Sequence, residues 1–226
     1  MKLVKKNTHR GVIGVESAIV MIAFVIVAAA LAFVVLNMGF STSQQAKTTI
    51  VSGLAEASSS MMISATITAE GCESCDPPIL KAVMIPLKIG SGGNAVNLEE
   101  ALTLVRYLSN TVEYADIYEG PLTTKVYKNP TDAFDDAVTA GLIDTNPITG
   151  AAPSATTAII YWAVMSTPFN AVMESGEHAI LAIAWSTADQ PSALDTIQAE
   201  IISASGSPLY IERKVPQITT GVTDLG

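Results

Sequence analysis

From Ala18 to Leu36 nineteen consecutive positions are apolar, and no charge falls between Glu16 and Lys47. A helix over that run rises about 28 Å, enough to cross a bilayer's hydrocarbon core. It carries no polar face, so it must be surrounded by lipid or by copies of itself. Beyond Gly39 the chain turns to Ser, Thr, Gln and Ala. There Val51, Leu54, Ala55, Ser58, Met61, Met62 and Ala65 recur near a 3–4 spacing. The pattern predicts one helix from about Ile13 to Thr68, roughly 80 Å long. Gly53 weakens it, and Gly71, Pro77 and Pro78 close it. Ala28, Ala29, Ala30, Ala32 and Gly39 would let neighbouring helices approach closely.

From Ile79 onward the period changes. Ile79–Ile89, Ala158–Met165, His178–Ser186, Asp195–Ser203 and Pro208–Val215 are short β-rich runs separated by Gly, Pro, Asn and Ser. Glu99–Ser109 and Lys125–Lys128 are further strand candidates. Pro86 lacks an N–H and predicts an edge position or a bulge. One helix interrupts the strands: Asn129 as its N-cap, Pro130 at the first position, Asp132 in the first turn and Gly141 past the end. The fold class is α+β: a long N-terminal hydrophobic α-helix, then an all-β, sandwich-like (Ig-like) outer domain. The predicted divisions are a head over 1–11, the helix over 12–70 and the outer domain over 71–226.

Charge is unevenly placed. Lys2, Lys5, Lys6 and Arg10 precede every acid; the remainder has eight bases against twenty-one acids, a net of −13. No basic patch is available to meet phosphates, which excludes a nucleic-acid partner. The basic head places itself in the cytoplasm and everything after Gly39 outside. Three readings of the N-terminus compete. An ordinary secretory signal has an apolar core of about 7–15 residues, shorter than this one. A permanent membrane anchor is the plainest alternative. The third is a leader cut ahead of the apolar stretch, which then stays on the mature protein.

Residue detail favours the third. Arg10-Gly11 precedes Val12, and Glu16 stands at the edge of the apolar run. This arrangement resembles the class III signal of type IV pilins and archaeal flagellins (archaellins). The break at Asn37-Met38-Gly39-Phe40 and the closing residues Leu209–Pro216, Ile218 and Val222–Gly226 resemble archaellins in particular, as does Ser175-Gly176-Glu177 before a strand. The resemblance implies cleavage between Gly11 and Val12 by a prepilin-peptidase-like protease. It also implies residence in the membrane before assembly, then helical self-polymerisation into an extracellular swimming filament. An assembly ATPase and a polytopic membrane platform are the other implied partners. Glu16 either pairs with the Val12 α-amine of a neighbouring copy, setting subunit register, or caps its own helix. The alternatives to a motility subunit are an adhesive type IV pilin and a membrane-anchored extracellular binding protein.

Catalytic chemistry finds little support. Two histidines, His9 and His178, leave no room for a histidine-based triad or metal set. Asp132, Asp135 and Asp136 have helical spacing, as a solvated face does. Gly90-Ser91-Gly92-Gly93-Asn94 reads as a turn, and Ser58–Ser60 as helix surface. No cofactor, metal or enzymatic activity is expected. Cys72 and Cys75 are open to a short-loop disulfide, free thiols, a redox pair or half a metal site; an extracellular segment favours the disulfide.

None of the eight asparagines begins an Asn-x-Ser/Thr sequon with a non-proline middle residue, since Asn129 is followed by Pro130. Any sugar should therefore sit on Ser or Thr. Intact-mass analysis with site mapping checks this, and a glycan mapped to an asparagine overturns it.

Overall fold

The computed structural model describes residues 10–58, 61–90, 92–219 and 221–226. The first element, α1, spans Arg10–Ser58, with its side chains described over 14–54. The chain divides into two compact units at Ser52/Gly53, beside the glycine expected to weaken the helix.

The helix ends about ten residues before the expected Thr68, so the predicted 12–70 division is corrected. Strand β1 takes Met61–Ile63 and β2 takes Thr68–Cys72. Met61, Ile67 and Ala69 are buried in the outer domain, and Met62 between its two inward neighbours points out. Short apolar runs fit periods of 3.6 and 2 alike, and burial of the β-branched stretch decides for 2. Gly71, expected to stop the helix, instead sits inside β2.

Beyond β2 come β3 (Ile79–Ile89), β4 (Val96–Asn97), β5 (Thr103–Ser109), β6 (Glu113–Tyr114) and β7 (Tyr118–Val126). Helix α2 (Pro130–Ala140) is followed by β8 (Thr157–Val164), β9 (Val172–Met173), β10 (His178–Ala184), β11 (Thr196–Ser203), β12 (Leu209–Lys214) and β13 (Val222–Asp224). Seven strands form one sheet, in the order β13-β2-β3-β10-β8-β7 with β1 also on β3. A second sheet is ordered β12-β11-β5-β6, and β4 pairs with β9.

The two larger sheets face each other across a common core. Val83, Ile85, Leu87, Leu181, Ile160 and Trp162 come from one side; Val105, Tyr107, Ile197, Ala199, Ile201 and Ile211 come from the other. β11 alternates cleanly, with Gln198 and Glu200 outward, because only one of its faces is covered. β8 and β10 are buried nearly throughout, because α2 packs on their second face. There Ala133, Phe134 and Ala137 meet Ala82, Ile159, Tyr161 and Ala182. β7 and β8 run parallel, with α2 as their crossover. An immunoglobulin-type sandwich, antiparallel throughout, has no such unit.

Asn129 occupies the N-cap position in extended backbone without a side-chain capping bond, and Pro130 follows it. Gly141 ends α2 at φ 79°, a left-handed conformation that glycine adopts without a Cβ penalty. The Gly141 and Leu142 N–H groups return to the carbonyls of Val138 and Ala137 at 3.1 and 3.0 Å. Pro86 lies inside the sheet rather than on an edge, in unbroken register with Ile180 of β10. On its other flank β1 ends at Ile63 opposite Leu87 and β2 begins at Thr68 opposite Met84. The missing N–H thus falls where the neighbouring strand changes, and the Pro86 carbonyl accepts from Ser64 N–H at 2.8 Å.

Phe134 is fully buried and seals the second face of the large sheet. Phe134→Ala should cost about 3–5 kcal/mol and lower the thermal midpoint of the β-rich domain by about 10 °C. Circular dichroism melts of the full chain check this; a shift below about 2 °C would mean that α2 contributes little to closing that face.

Candidate assembly and processing site

Every large apolar side chain described on α1 is exposed, from 52% at Val34 to 72% at Met21. The set includes Phe24 on one side of the helix and Phe33 and Phe40 on the opposite side. Fully burying such a side chain is worth about 1.5–3 kcal/mol, so the exposed set leaves tens of kcal/mol unrealised in water. The window Gly14–Leu54 has the length and apolar composition to cross a membrane. Past Phe40 the surface becomes polar, and the Thr48 and Thr49 hydroxyls donate back to the Gln44 and Gln45 carbonyls at 2.9 and 3.0 Å.

The expected processing residues fall at the start of this element. Residues 1–9 of the head lie outside the described residues, as do the side chains of Arg10 and Val12. The backbone at Arg10-Gly11-Val12 lies within α1. Glu16 stands one turn beyond Val12. It is exposed and has no ion-pair partner within the chain among the described residues. Cys72 and Cys75, at the end of β2, are joined as a disulfide with 5.4 Å between Cα atoms. The loop they close is short, so the entropic stabilisation is at the low end for such bonds.

The acids of α2 are used structurally. Asp136 accepts from the Lys125 ammonium at 2.7 Å and the Tyr127 hydroxyl at 2.9 Å. Both hold its carboxyl below the usual value, the lysine contributing more. Asp135 accepts from the Asn146 amide at 2.7 Å. His178, half-buried in β10, makes no hydrogen bond to a carboxylate among the described residues. No group of three or more potential metal ligands occurs among them either.

The sequence reading assigned no structural role to two buried carboxylates. Glu177, after a left-handed Gly176, accepts the Ser166 and Glu174 N–H groups at 2.7 and 2.9 Å and pins the turn before β10. Asp189 follows β10. Its Oδ2 accepts three hydroxyls: Thr156 at 2.6 Å, Ser186 at 2.8 Å and Tyr114 at 2.9 Å. Tyr114 belongs to the four-stranded sheet, while Thr156 and Ser186 flank strands of the seven-stranded sheet, so Asp189 ties the two sheets together. The Ser186-x-x-Asp189 spacing was the only sequence signal for it.

Comparison with known proteins places these features in context. The family model described as archaeal-type flagellin matches residues 11–213. The chain is 32% identical over 220 residues to "Probable flagellin 1" of Aeropyrum pernix, covering 96% of this chain and 98% of that protein. A protein of the same description from Archaeoglobus fulgidus is 35% identical over 44% of this chain and 48% of its own length. Among solved structures, the archaeal flagellum of Methanospirillum hungatei aligns over 94% of this chain and 98% of that one, with TM-score 0.59 and 20% identity. An archaeal flagellin crystal structure from Methanocaldococcus jannaschii covers 73% of this chain and 95% of that one, with TM-score 0.58 and 11% identity. At those identities the two structures speak to the fold.

Burial pushes the Asp189 carboxyl upward, but the three hydroxyl bonds outweigh it and leave it below the ordinary value. A carboxyl lowered in the folded state contributes stability above the unfolded Asp value of about 3.9 and loses it as pH falls through the folded value. Asp189→Asn should cost about 1–3 kcal/mol at neutral pH. The gap to the parent should shrink below about pH 4. Melting curves from pH 7 to 3 check this, and a gap that does not change with pH overturns the assignment.

Proposed function

We propose a route to assembly that starts from one premise: the chain belongs to the archaeal-type flagellin family, and is a structural subunit of the extracellular archaeal flagellum filament, not an enzyme. Filament assembly implies that the chain polymerises with itself. The observation that carries the route is α1, apolar and exposed on all sides. Lipid satisfies such a helix before assembly, and identical helices satisfy it afterwards.

The chain is inserted with its basic head in the cytoplasm. A prepilin-peptidase-like protease cuts between Gly11 and Val12, and the family match beginning at residue 11 supports that position. An assembly ATPase and a polytopic membrane platform then move the helix from lipid into the filament core. Lipid is already apolar, so the gain inside the membrane comes from close packing and polar pairing. Outside it, burial from water adds to the drive. Cleavage frees an α-amine at Val12, and the Glu16 carboxylate pairs with that amine on a neighbouring copy, fixing their relative height. A charge enclosed unpaired among helices is strongly destabilising, which is why Glu16 needs a cation once lipid and water are gone. The β-rich domains form the outer wall.

Filament subunits should begin at Val12, and Gly11→Val should leave uncut precursor in the membrane with few filaments. N-terminal sequencing of purified filaments reads the outcome directly. Subunits beginning at Met1, or after Leu36, would overturn the cleavage site.

A further inference from the structure

Between Val12 and Ala55 the sequence has two charges of opposite sign, Glu16 and Lys47. Both side chains are exposed on α1, and neither has an ion-pair partner within the chain among the described residues. They are 31 residues apart, about 46 Å along the axis and about 220° around it. On one helix they cannot meet, and they leave it from nearly opposite sides.

Each opens a matching stripe. Lys47 is followed at i+3, i+4 and i+7 by Ile50, Val51 and Leu54, exposed by 68%, 55% and 67%. These are the exposed large apolar residues of α1 beyond Phe40. Glu16 is followed at the same spacings by Ile19, Val20 and Ala23. That spacing lies on one helix face, so each charge and its three followers form a single surface. Slide one parallel copy 31 residues along another, and Glu16 stands level with Lys47, Ile19 with Ile50, Val20 with Val51 and Ala23 with Leu54. The sequence–structure match is at once of charge and of apolar surface.

We propose that Lys47 is a second register-setting residue, contacting Glu16 of another copy displaced by about 46 Å along the filament axis. The occupant of the Lys47–Leu54 stripe is thus the Glu16–Ala23 face of a second copy of this chain. The inference deepens the reading of Glu16 given above and rests on it. The two contacts coexist. The Val12 amine meets a neighbour offset by four residues, about 6 Å, and Lys47 meets one offset by about 46 Å. A carboxylate has two oxygens and can accept from both. Because the paired residues lie on opposite sides of the helix, the contact is heterologous, so each copy passes it to the next and an open helical polymer results.

Charge exchange in the full-length chain, expressed in its own cells, tests this. Lys47→Gln should reduce filament yield at least about fivefold with leader cleavage unchanged, and Lys47→Arg should restore it. Glu16→Lys and Lys47→Glu should each abolish filaments, while the double exchange should yield more than either single variant. A filament map should place Lys47 Nζ within about 4 Å of a Glu16 carboxylate of another copy. Glu16→Gln separates the two claims. If it impairs assembly while Lys47→Gln does not, the lysine contact is overturned and the amine pairing stands. If Glu16→Gln assembles normally, Glu16 sets no register and both fall. A double exchange no better than the singles, or a lysine–carboxylate distance above about 6 Å, also overturns the contact.

Discussion

An apolar helix exposed on every side is not a stable object in water, and that constraint governs the rest of the molecule. Chain length cannot remove it. The β-rich unit has its two apolar layers within itself, while nineteen successive positions of α1 are apolar and exposed. The helix must have an apolar neighbour, and identical helices of other copies supply one. Polymerisation is a consequence of that requirement, and in the route proposed above so are residence in lipid and a leader placed ahead of the helix. The sparse charges on the helix limit which alignments of copies are tolerable once solvent is excluded.

The β-rich unit is built to need no such help. Its large sheet is covered on one face by the four-stranded sheet and on the other by α2. Two buried carboxylates are tied within the unit rather than left for a partner. Asp189 joins the sheets through three hydroxyls, and Glu177 holds the turn before β10. These side chains resemble catalytic acids in burial and differ from them in surroundings. Their acceptor oxygens are occupied by hydroxyl and backbone donors, and none of those bonds involves a histidine or lysine. Buried carboxylates here do architectural work.

Much of this was legible in the sequence, for reasons that can be assigned. β3 matched its expected Ile79–Ile89 limits because Pro77-Pro78 bounds the run on one side and Gly90 on the other. Helix α2 was fixed by chemistry at its ends, Pro130 at the start and a left-handed Gly141 at the finish. The C-terminal limit of α1 was not legible, because Met61, Met62 and Ala65 satisfy a helical spacing as well as a strand one, and only long-range burial distinguishes them. The first half of β7 was missed because Gly120 and Pro121 look like a turn, and the pairing with β8 does shift register beside Gly120. Asp189 was not legible because two of its three donors, Tyr114 and Thr156, come from distant parts of the chain. At the N-terminus the reading of Arg10, Gly11, Val12 and Glu16 rests on a local pattern alone.

Charge divides the labour between the two parts. From Val12 to Ala55 Glu16 and Lys47 cancel, so the net of −13 beyond the basic head resides in the remainder of the chain. Copies arranged as a wall bring like charges within a few Debye lengths, about 8 Å each at physiological salt, and repel one another. Such surfaces keep an exported domain soluble and discourage lateral association. Cohesion must then reside where charge is scarce, among the helices. There each enclosed ionic group counts heavily and small errors of register expose or strand it. A subunit built this way gains specificity from having few charges in its core and solubility from having many outside.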